Sequence, residues 1–411
     1  MRSLGIRWIV IAAVALLCTA TANAGEPLFA PYEGMFKALD RDHSYRALAD
    51  SPATATMELV KANVGALTQE ADTLLLNLEP GLDLKAHRLN SYVMNTGSLV
   101  WVGVIEDPGS WIHPSATAEM AFDPANQVIL VKNDGNLTGN AHFGGEWYQI
   151  RPLRSGGHAV VKVDVSSMPP DHPEEFADVP TFPMRPARQT KADTVIRVMV
   201  HYTSSAASAS GNINGLIDLA VAETNQAYVN SDVAIDVVLA HKSQVTYTQS
   251  GSFSTDLSRY RGTTDSYMTG IHTTRNSVAA DVGVLVINNS SSCGLASSIG
   301  STASTAFAAA HWSCITGYYS FGHEIGHLQS ARHDPATDPS TSPYAYGHGY
   351  RKTTSPSWRT IMAYNCPSSC PRLNYWSNPN KLYNGAPMGT TSQSHNQRVL
   401  NQTAAKVAGF R

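Results

Sequence analysis

His323, Glu324, His327 and His333 fall within one short run, residues 321–334, which reads Phe-Gly-His-Glu-Ile-Gly-His-Leu-Gln-Ser-Ala-Arg-His-Asp. On a helix, residues four apart stack on one side, so His323 and His327 can offer ring nitrogens to a single ion about 2 Å from each. Glu324 is turned away from that axis; it is poorly placed as a ligand but well placed to polarise a water on the ion and take its proton. His333 lies too far along to reach the same ion on a continuing helix, so the chain must turn back sharply after about residue 330. Three protein ligands leave one coordination position open, which marks a catalytic rather than a structural zinc site.

His-Glu-x-x-His alone occurs by chance in unrelated helices, but here it has company. Downstream lies Thr360-Ile361-Met362-Ala363-Tyr364, a methionine in a short apolar segment, followed by Asn365 and Cys366-Pro367. The long histidine motif followed by such a segment resembles the metzincin metallopeptidases, in which a methionine-containing turn runs beneath the zinc-binding histidines. The resemblance implies His323, His327 and His333 as ligands of one catalytic zinc ion, Glu324 as general base and Met362 as the apolar floor. Asp334, directly after the third histidine, is similar to the adamalysin branch. Tyr364, two after the methionine, is similar to the astacin and serralysin branches, whose tyrosine at this place helps hold the oxyanion. The Ala-Arg-His-Asp ending, the four-cysteine region and Tyr375-Trp376-Ser377-Asn378-Pro379 together most resemble the bacterial peptidyl-Asp metallopeptidases, over roughly residues 194 to 411.

That resemblance implies an α+β fold: a twisted, mostly parallel sheet with an antiparallel edge strand, a zinc-binding helix and a Met-turn, preceded by a β-rich propeptide domain. The substrate is then polypeptide cut on the N-terminal side of Asp, and a buried cation must receive the acid, preferably the forked guanidinium of arginine. Arg351, Lys352, Arg359 and Arg372 lie on the segments around Met362 and are the candidates, although any one of them alone is more often a surface charge. A metzincin of broader or different specificity shares every catalytic residue, and an inactive zinc-binding module is the reading from another class. One departure is Ser330, where metzincins usually place glycine; serine in a left-handed conformation there costs about 1 to 2 kcal/mol.

His311, His348 and His395 lie outside the motif and read as ordinary surface or hydrogen-bonded histidines, and Trp312 and Trp376 as packing residues. Asp334 and Asp338 could join a calcium loop, but no ordered acidic spacing supports one.

Arg2 and Arg7, the apolar stretch Trp8 to Cys18 and Ala22-Asn23-Ala24 have the order of a secretory signal over residues 1–24, so export from a bacterial cell is expected. Four cysteines then remain, Cys293, Cys314, Cys366 and Cys370, an even number that favours disulfides in an exported chain, with neighbour pairing the simplest choice. With 411 residues, 43% hydrophobic, 15% charged and a formal net charge of -3, the chain can build two ordinary domains and has no character that seeks nucleic acid. No later stretch approaches the length of a membrane helix, and a monomer is expected for want of a heptad.

Three stretches organise the chain: the signal over 1–24, a propeptide over 25–192 and the catalytic domain over 193–411. Residues 54–79 repeat apolar residues at helical spacing, and Leu99 to Val165 alternates between turns such as Asn133-Asp134-Gly135, so a small β-rich domain is expected. A proline-dense stretch at 166–193 reads as a linker unable to pair as strand or helix. By resemblance, the first domain covers the cleft as an intramolecular inhibitor and is removed. No cysteine lies between signal and linker to silence the zinc; Asp171 and His172 are the candidates to fill the open position instead, although either one read alone is more often a solvated linker charge, and if cutting is directed to Asp, Ala192-Asp193 is the self-cleavage bond. Beyond the linker, strands are expected at Thr194–Thr203, Val233–Leu239 and Val282–Ile287. Helices are expected from Ile213, over Tyr267–Arg275 and over Val399–Val407, and Thr305–Trp312 is expected as the edge strand that pairs with an extended substrate.

Overall fold

The computed structural model describes residues 27–34, 36–107, 122–184 and 193–411; the signal expected over 1–24 and the Ala192 side of the expected self-cleavage bond lie outside them. Residues 27–163 build one antiparallel sheet of nine strands: β1 (Phe29–Pro31), β2 (Thr54–Ala62), β3 (Thr73–Glu79), β4 (Leu82–Val93), β5 (Leu99–Ile105), β6 (Gln127–Asn133), β7 (Asn136–Phe143), β8 (Glu146–Pro152) and β9 (His158–Val163). Their order is β1-β2-β9-β8-β7-β6-β5-β4-β3, a meander from β3 to β9 with β2 closing onto β9. Asp134 and Gly135 both have positive φ, 47° and 75°, so the turn after Asn133 has the twist that a two-residue hairpin needs. The helical spacing over 54–79 does not become a helix: it holds β2 and β3. In β3 every second residue, Leu74, Leu76 and Leu78, is buried, a period of two concealed within a run of consecutive leucines.

The second sheet has five strands, β10 (Thr194–Tyr202), β11 (Ile235–Gln244), β12 (Val282–Ile287), β13 (Gly294–Ala296) and β14 (Phe307–His311), in the order β11-β10-β12-β14-β13. All its pairings are parallel except β13 with β14, which is antiparallel. The edge strand is therefore β13, and Thr305–Trp312 lies one strand inside it. At three residues β13 is too short to announce itself by alternation.

Between the two sheets runs the helix Ile213–Asn230, whose N-terminus is capped by Asn212 accepting from the Gly215 N–H. One side packs Leu219 and Ala222 on Val100, Val102, Ile129 and Val131 of the first sheet; the other packs Leu216, Ile217 and Ala220 with Ile196, Val198 and Val200 of the second. A helix buried on both sides carries buried polar groups only with partners, and it has them: Asp218 accepts from Ser98 Oγ at 2.6 Å, and Glu223 from Asn140 Nδ2 at 2.6 Å and the Gly317 N–H at 2.8 Å. The closing helix, Asn396–Val407, buries Val399, Leu400, Thr403, Ala404 and Val407. Among the described residues no helix is long and apolar enough to cross a membrane.

The proline-dense stretch does pair. The Pro170 and Asp171 carbonyls accept from the Cys293 and Gly294 N–H groups at 2.8 and 3.0 Å, and Thr181 forms a parallel bridge with Ile299. Proline removes a donor but leaves its carbonyl, so a proline-rich segment can still lie along an edge strand that supplies the N–H groups.

Candidate active site

The motif lies on the helix Ser320–Leu328, which carries His323 and His327 on one face. Each has its Nδ1 against a backbone carbonyl, His323 on Ile361 at 3.0 Å and His327 on Ala331 at 2.9 Å, which leaves Nε2 as the free lone pair on both rings. The helix ends in a Schellman turn: the Ala331 N–H reaches the Gly326 carbonyl at 2.9 Å and the Ser330 N–H reaches that of His327 at 2.8 Å. Ser330 takes the left-handed conformation that this turn demands, φ 76°, so the usual geometry is kept despite the missing glycine. The reversal delivers His333, whose Nε2 lies 3.3 Å from that of His323 and 3.0 Å from that of His327. His348, read as an ordinary hydrogen-bonded residue, steadies this loop through its Nδ1, 2.7 Å from the His333 carbonyl. Burial first, then neighbouring imidazoles, holds His323 and His333 far below the usual histidine range, and burial does the same for His327. Neutral rings are the form that binds a metal.

Glu324 faces the edge strand across a gap that only glycine allows: a Cβ on Gly294 would lie 2.2 Å from Oε1. Burial, then Asp171, pushes its carboxyl well above the usual range. Beneath the helix, a Cβ on Gly326 would meet Trp376 at 2.7 Å and the Met362 sulfur at 3.2 Å, so Gly326 lets the methionine segment rise against the histidines. Asp334 ties the third histidine to that segment, accepting from the Tyr364 N–H at 3.0 Å and Thr337 Oγ1 at 2.9 Å and pairing with Arg351 at 2.9 Å. Asp338 pairs with Arg332, so neither acid of the suggested calcium loop points toward the other.

Both linker candidates enter this site. His172 joins the three motif histidines in a buried group whose potential ligand atoms all lie within 4.8 Å of one another. Its ring also touches Glu324, Nε2 to Oε1 at 3.2 Å, and Tyr364, Nδ1 to Oη at 3.1 Å, with Phe176 packed on it at 4.1 Å between centroids. Burial pushes His172 down to about 3. Asp171 receives Arg372 Nη2 at 2.7 Å and lies 3.9 Å from Arg359 Nη1. Burial opposes its charge, but Arg372, then Arg359, holds its carboxyl below the usual range.

Of the four cations expected near the methionine segment, the structure thus gathers two. Arg359 is fully buried, donating to the Ala363 carbonyl at 2.8 Å. Arg372 donates to the carbonyls of Tyr318 at 3.0 Å and Ala363 at 3.2 Å and lies over the Tyr318 ring. Arg351 is engaged elsewhere, by Asp334 and by the Asn365 carbonyl at 2.8 Å, and Lys352 points to the Thr354 and Pro356 carbonyls on the exposed side. The disulfides Cys293–Cys314 and Cys366–Cys370 follow neighbour pairing, the first anchoring β13 and the second the segment after Tyr364. Sequence reasoning missed the roles of Gly294, Phe176 and Tyr318. None carried a signal, because each acts through a partner distant in sequence.

The donor set suits a borderline divalent ion: neutral imidazoles converge, the four described cysteines are paired in disulfides, and the Glu324 carboxylate lies against His172. The family model for metallo-peptidase family M12 (Reprolysin_5) matches residues 192–377. A peptidyl-Asp metalloendopeptidase of Stenotrophomonas maltophilia (strain K279a) is 49% identical over 96% of this chain and 96% of its own length. The protein of the same description from Xanthomonas campestris pv. campestris is 47% identical over the same shares. That of Pseudomonas fragi is 53% identical over 190 residues, which is 46% of this chain and 100% of the relative. With end-to-end identity near one half, an M12 match and converging histidines around a buried acid, this chain belongs to the family of the peptidyl-Asp metalloendopeptidases.

Proposed function

We propose that the chain is a secreted zinc endopeptidase that cuts polypeptides on the N-terminal side of aspartate, and that its N-terminal domain is a propeptide acting as an intramolecular inhibitor. The observation that supports this furthest is the convergence of His323, His327 and His333 Nε2 on one point, with Glu324 one residue along the same helix. These three residues would hold the ion; bound there, zinc supplies Lewis acidity to the scissile carbonyl and acidifies water. Glu324, buried with its carboxyl pushed well above the usual range, takes the proton from the attacking water and returns it to the leaving amine. Tyr364, whose hydroxyl reaches the same space, donates to the developing oxyanion. An extended substrate pairs along β13, using the N–H groups that the linker occupies in the full chain. The acid after the cut enters the pocket of Arg359 and Arg372. The two disulfides and the leader-like first 24 residues support export.

The test is mass-spectrometric sequencing of new termini after mature protein digests a denatured protein mixture, with and without a zinc chelator. Cuts clustered before Asp and abolished by chelation are expected. Chelator-sensitive cuts without that preference would leave a metzincin of other specificity, and no cuts at all would leave an inactive zinc-binding module.

A further inference from the structure

We propose that Asp171-His172 is a pseudo-substrate latch, in which Asp171 occupies on Arg372 the subsite that reads the substrate's aspartate while His172 covers the histidine cluster. The inference rests on the proposed function and assigns both the specificity residue and the mode of latency.

Arg372 is the cation that selects. Of the two buried arginines it alone makes a short contact to the Asp171 carboxylate, 2.7 Å against 3.9 Å for Arg359. Its Nη1 is held by the Tyr318 carbonyl and the Nη2 that meets Asp171 also by the Ala363 carbonyl, with the Tyr318 ring beneath, so the guanidinium stays aimed at the pocket once the linker leaves. Arg359, donating to Ala363 and lying behind Arg372, is a positioning residue. The pocket is also a ruler. The Asp171 backbone is pinned by the Gly294 N–H at 3.0 Å while its carboxylate rests on Arg372, so one methylene spans the distance. A glutamate is one methylene longer than that span, whereas an asparagine fits it but brings no charge.

The latch resists cleavage because its order is reversed: the acid precedes the residue on the histidine cluster, whereas in a substrate cut before Asp it follows the residue there. The carbonyls of Pro170 and Asp171 are held by the Cys293 and Gly294 N–H groups at the start of β13, and the His172 ring fills the space between Glu324 and Tyr364 where a reacting carbonyl and water must sit. Two contacts on adjacent residues, one ionic and one on the histidine cluster, then hold one segment.

The same arginine must therefore control two separable observables. The first is measured on the full chain carrying Glu324→Gln to prevent self-cleavage, loaded with zinc, as the rate of metal loss to EDTA. His172→Ala is expected to raise that rate tenfold or more. Asp171→Asn and Arg372→Gln should each raise it, and their combination no further than either alone, since both break one contact. The second is the ratio of kcat/KM for matched peptides with Asp or Asn after the cut, measured on the mature enzyme. Arg372→Gln should lower this ratio about 100-fold or more, because a site built for a polar group rejects the analogue lacking it by at least that much. The ratio does not depend on the fraction of enzyme folded, and Arg372→Lys, expected to fall between, serves if the glutamine variant does not fold. Release rates unmoved by His172→Ala and Asp171→Asn, or an Asp preference that survives Arg372→Gln, would overturn the latch while chelator-sensitive cleavage before Asp still stood. A wild-type mature enzyme without such cleavage would instead remove the proposed function on which the latch rests.

Discussion

Glu223 sits where the two sheets meet, on the central helix, with its carboxyl held by Asn140 of the first sheet and by the Gly317 N–H. Burial pushes it up from its ordinary 4.5 to about 7, against the pull of Asn140, Gly317 and the nearby Arg151. The folded chain therefore keeps a proton that the unfolded chain releases between those two values. Relative stability is greatest below pH 4.5 and falls as pH rises through 7. The gap corresponds to about 3 kcal/mol once Glu223 is ionised on both sides of the equilibrium. Glu223→Gln should remove this slope: its amide cannot titrate, and it pairs imperfectly with two donors, so the variant carries a smaller penalty that does not change with pH. The assay is urea unfolding of the full chain, in the Glu324→Gln background, at steps from pH 4.5 to 8. Wild type minus variant should change by a few kcal/mol across that window. Parallel curves would show that Glu223 is ionised throughout and that its hydrogen bonds outweigh its burial.

Glu324→Ala should leave a folded, metal-binding chain with proteolysis lower by several orders of magnitude, read as kcat/KM on a peptide substrate beside metal content; near wild-type turnover would remove the proton-transfer role. Ser330→Gly should stabilise the chain by about 1 kcal/mol, since glycine relieves the left-handed φ of 76° and removes a buried hydroxyl without a partner; a lower denaturation midpoint would contradict that account. Replacing Cys293 and Cys314 together by alanine opens a loop with a sequence separation of 21 and should cost about 3 kcal/mol in urea unfolding. An unchanged midpoint would mean that packing alone holds β13.

What was legible in the sequence was what one helix could encode. His323, Glu324 and His327 are related by helical geometry alone, and the reversal to His333 is a local turn that the spacing requires even with serine at 330. The choice among Arg351, Lys352, Arg359 and Arg372 was not legible, because it depends on the parallel bridge between Arg359 and Arg372 that sets two guanidiniums on one carboxylate. β3 was misread because its core period of two lies within consecutive leucines. The edge strand was misplaced because β13 offers three residues, while the longer apolar run beside it is the inner β14.

Asp171 and His172 are the instructive case. In a proline-dense polar stretch such residues are ordinarily solvated, and each read alone looked like half of an either-or for the open metal position. Successive side chains of an extended segment point to opposite sides, so adjacent residues can serve neighbouring sites at once. The prolines that made the stretch look unstructured favour that extended form and leave carbonyls for β13 to hold. An acid and an imidazole placed side by side on such a backbone can meet the arginine pocket and the histidine cluster only if those lie one residue apart along the edge strand. A protease that cuts before Asp needs the same one-residue spacing in the opposite order, so the linker crosses the site in the reverse direction to a substrate, acid first and cluster second.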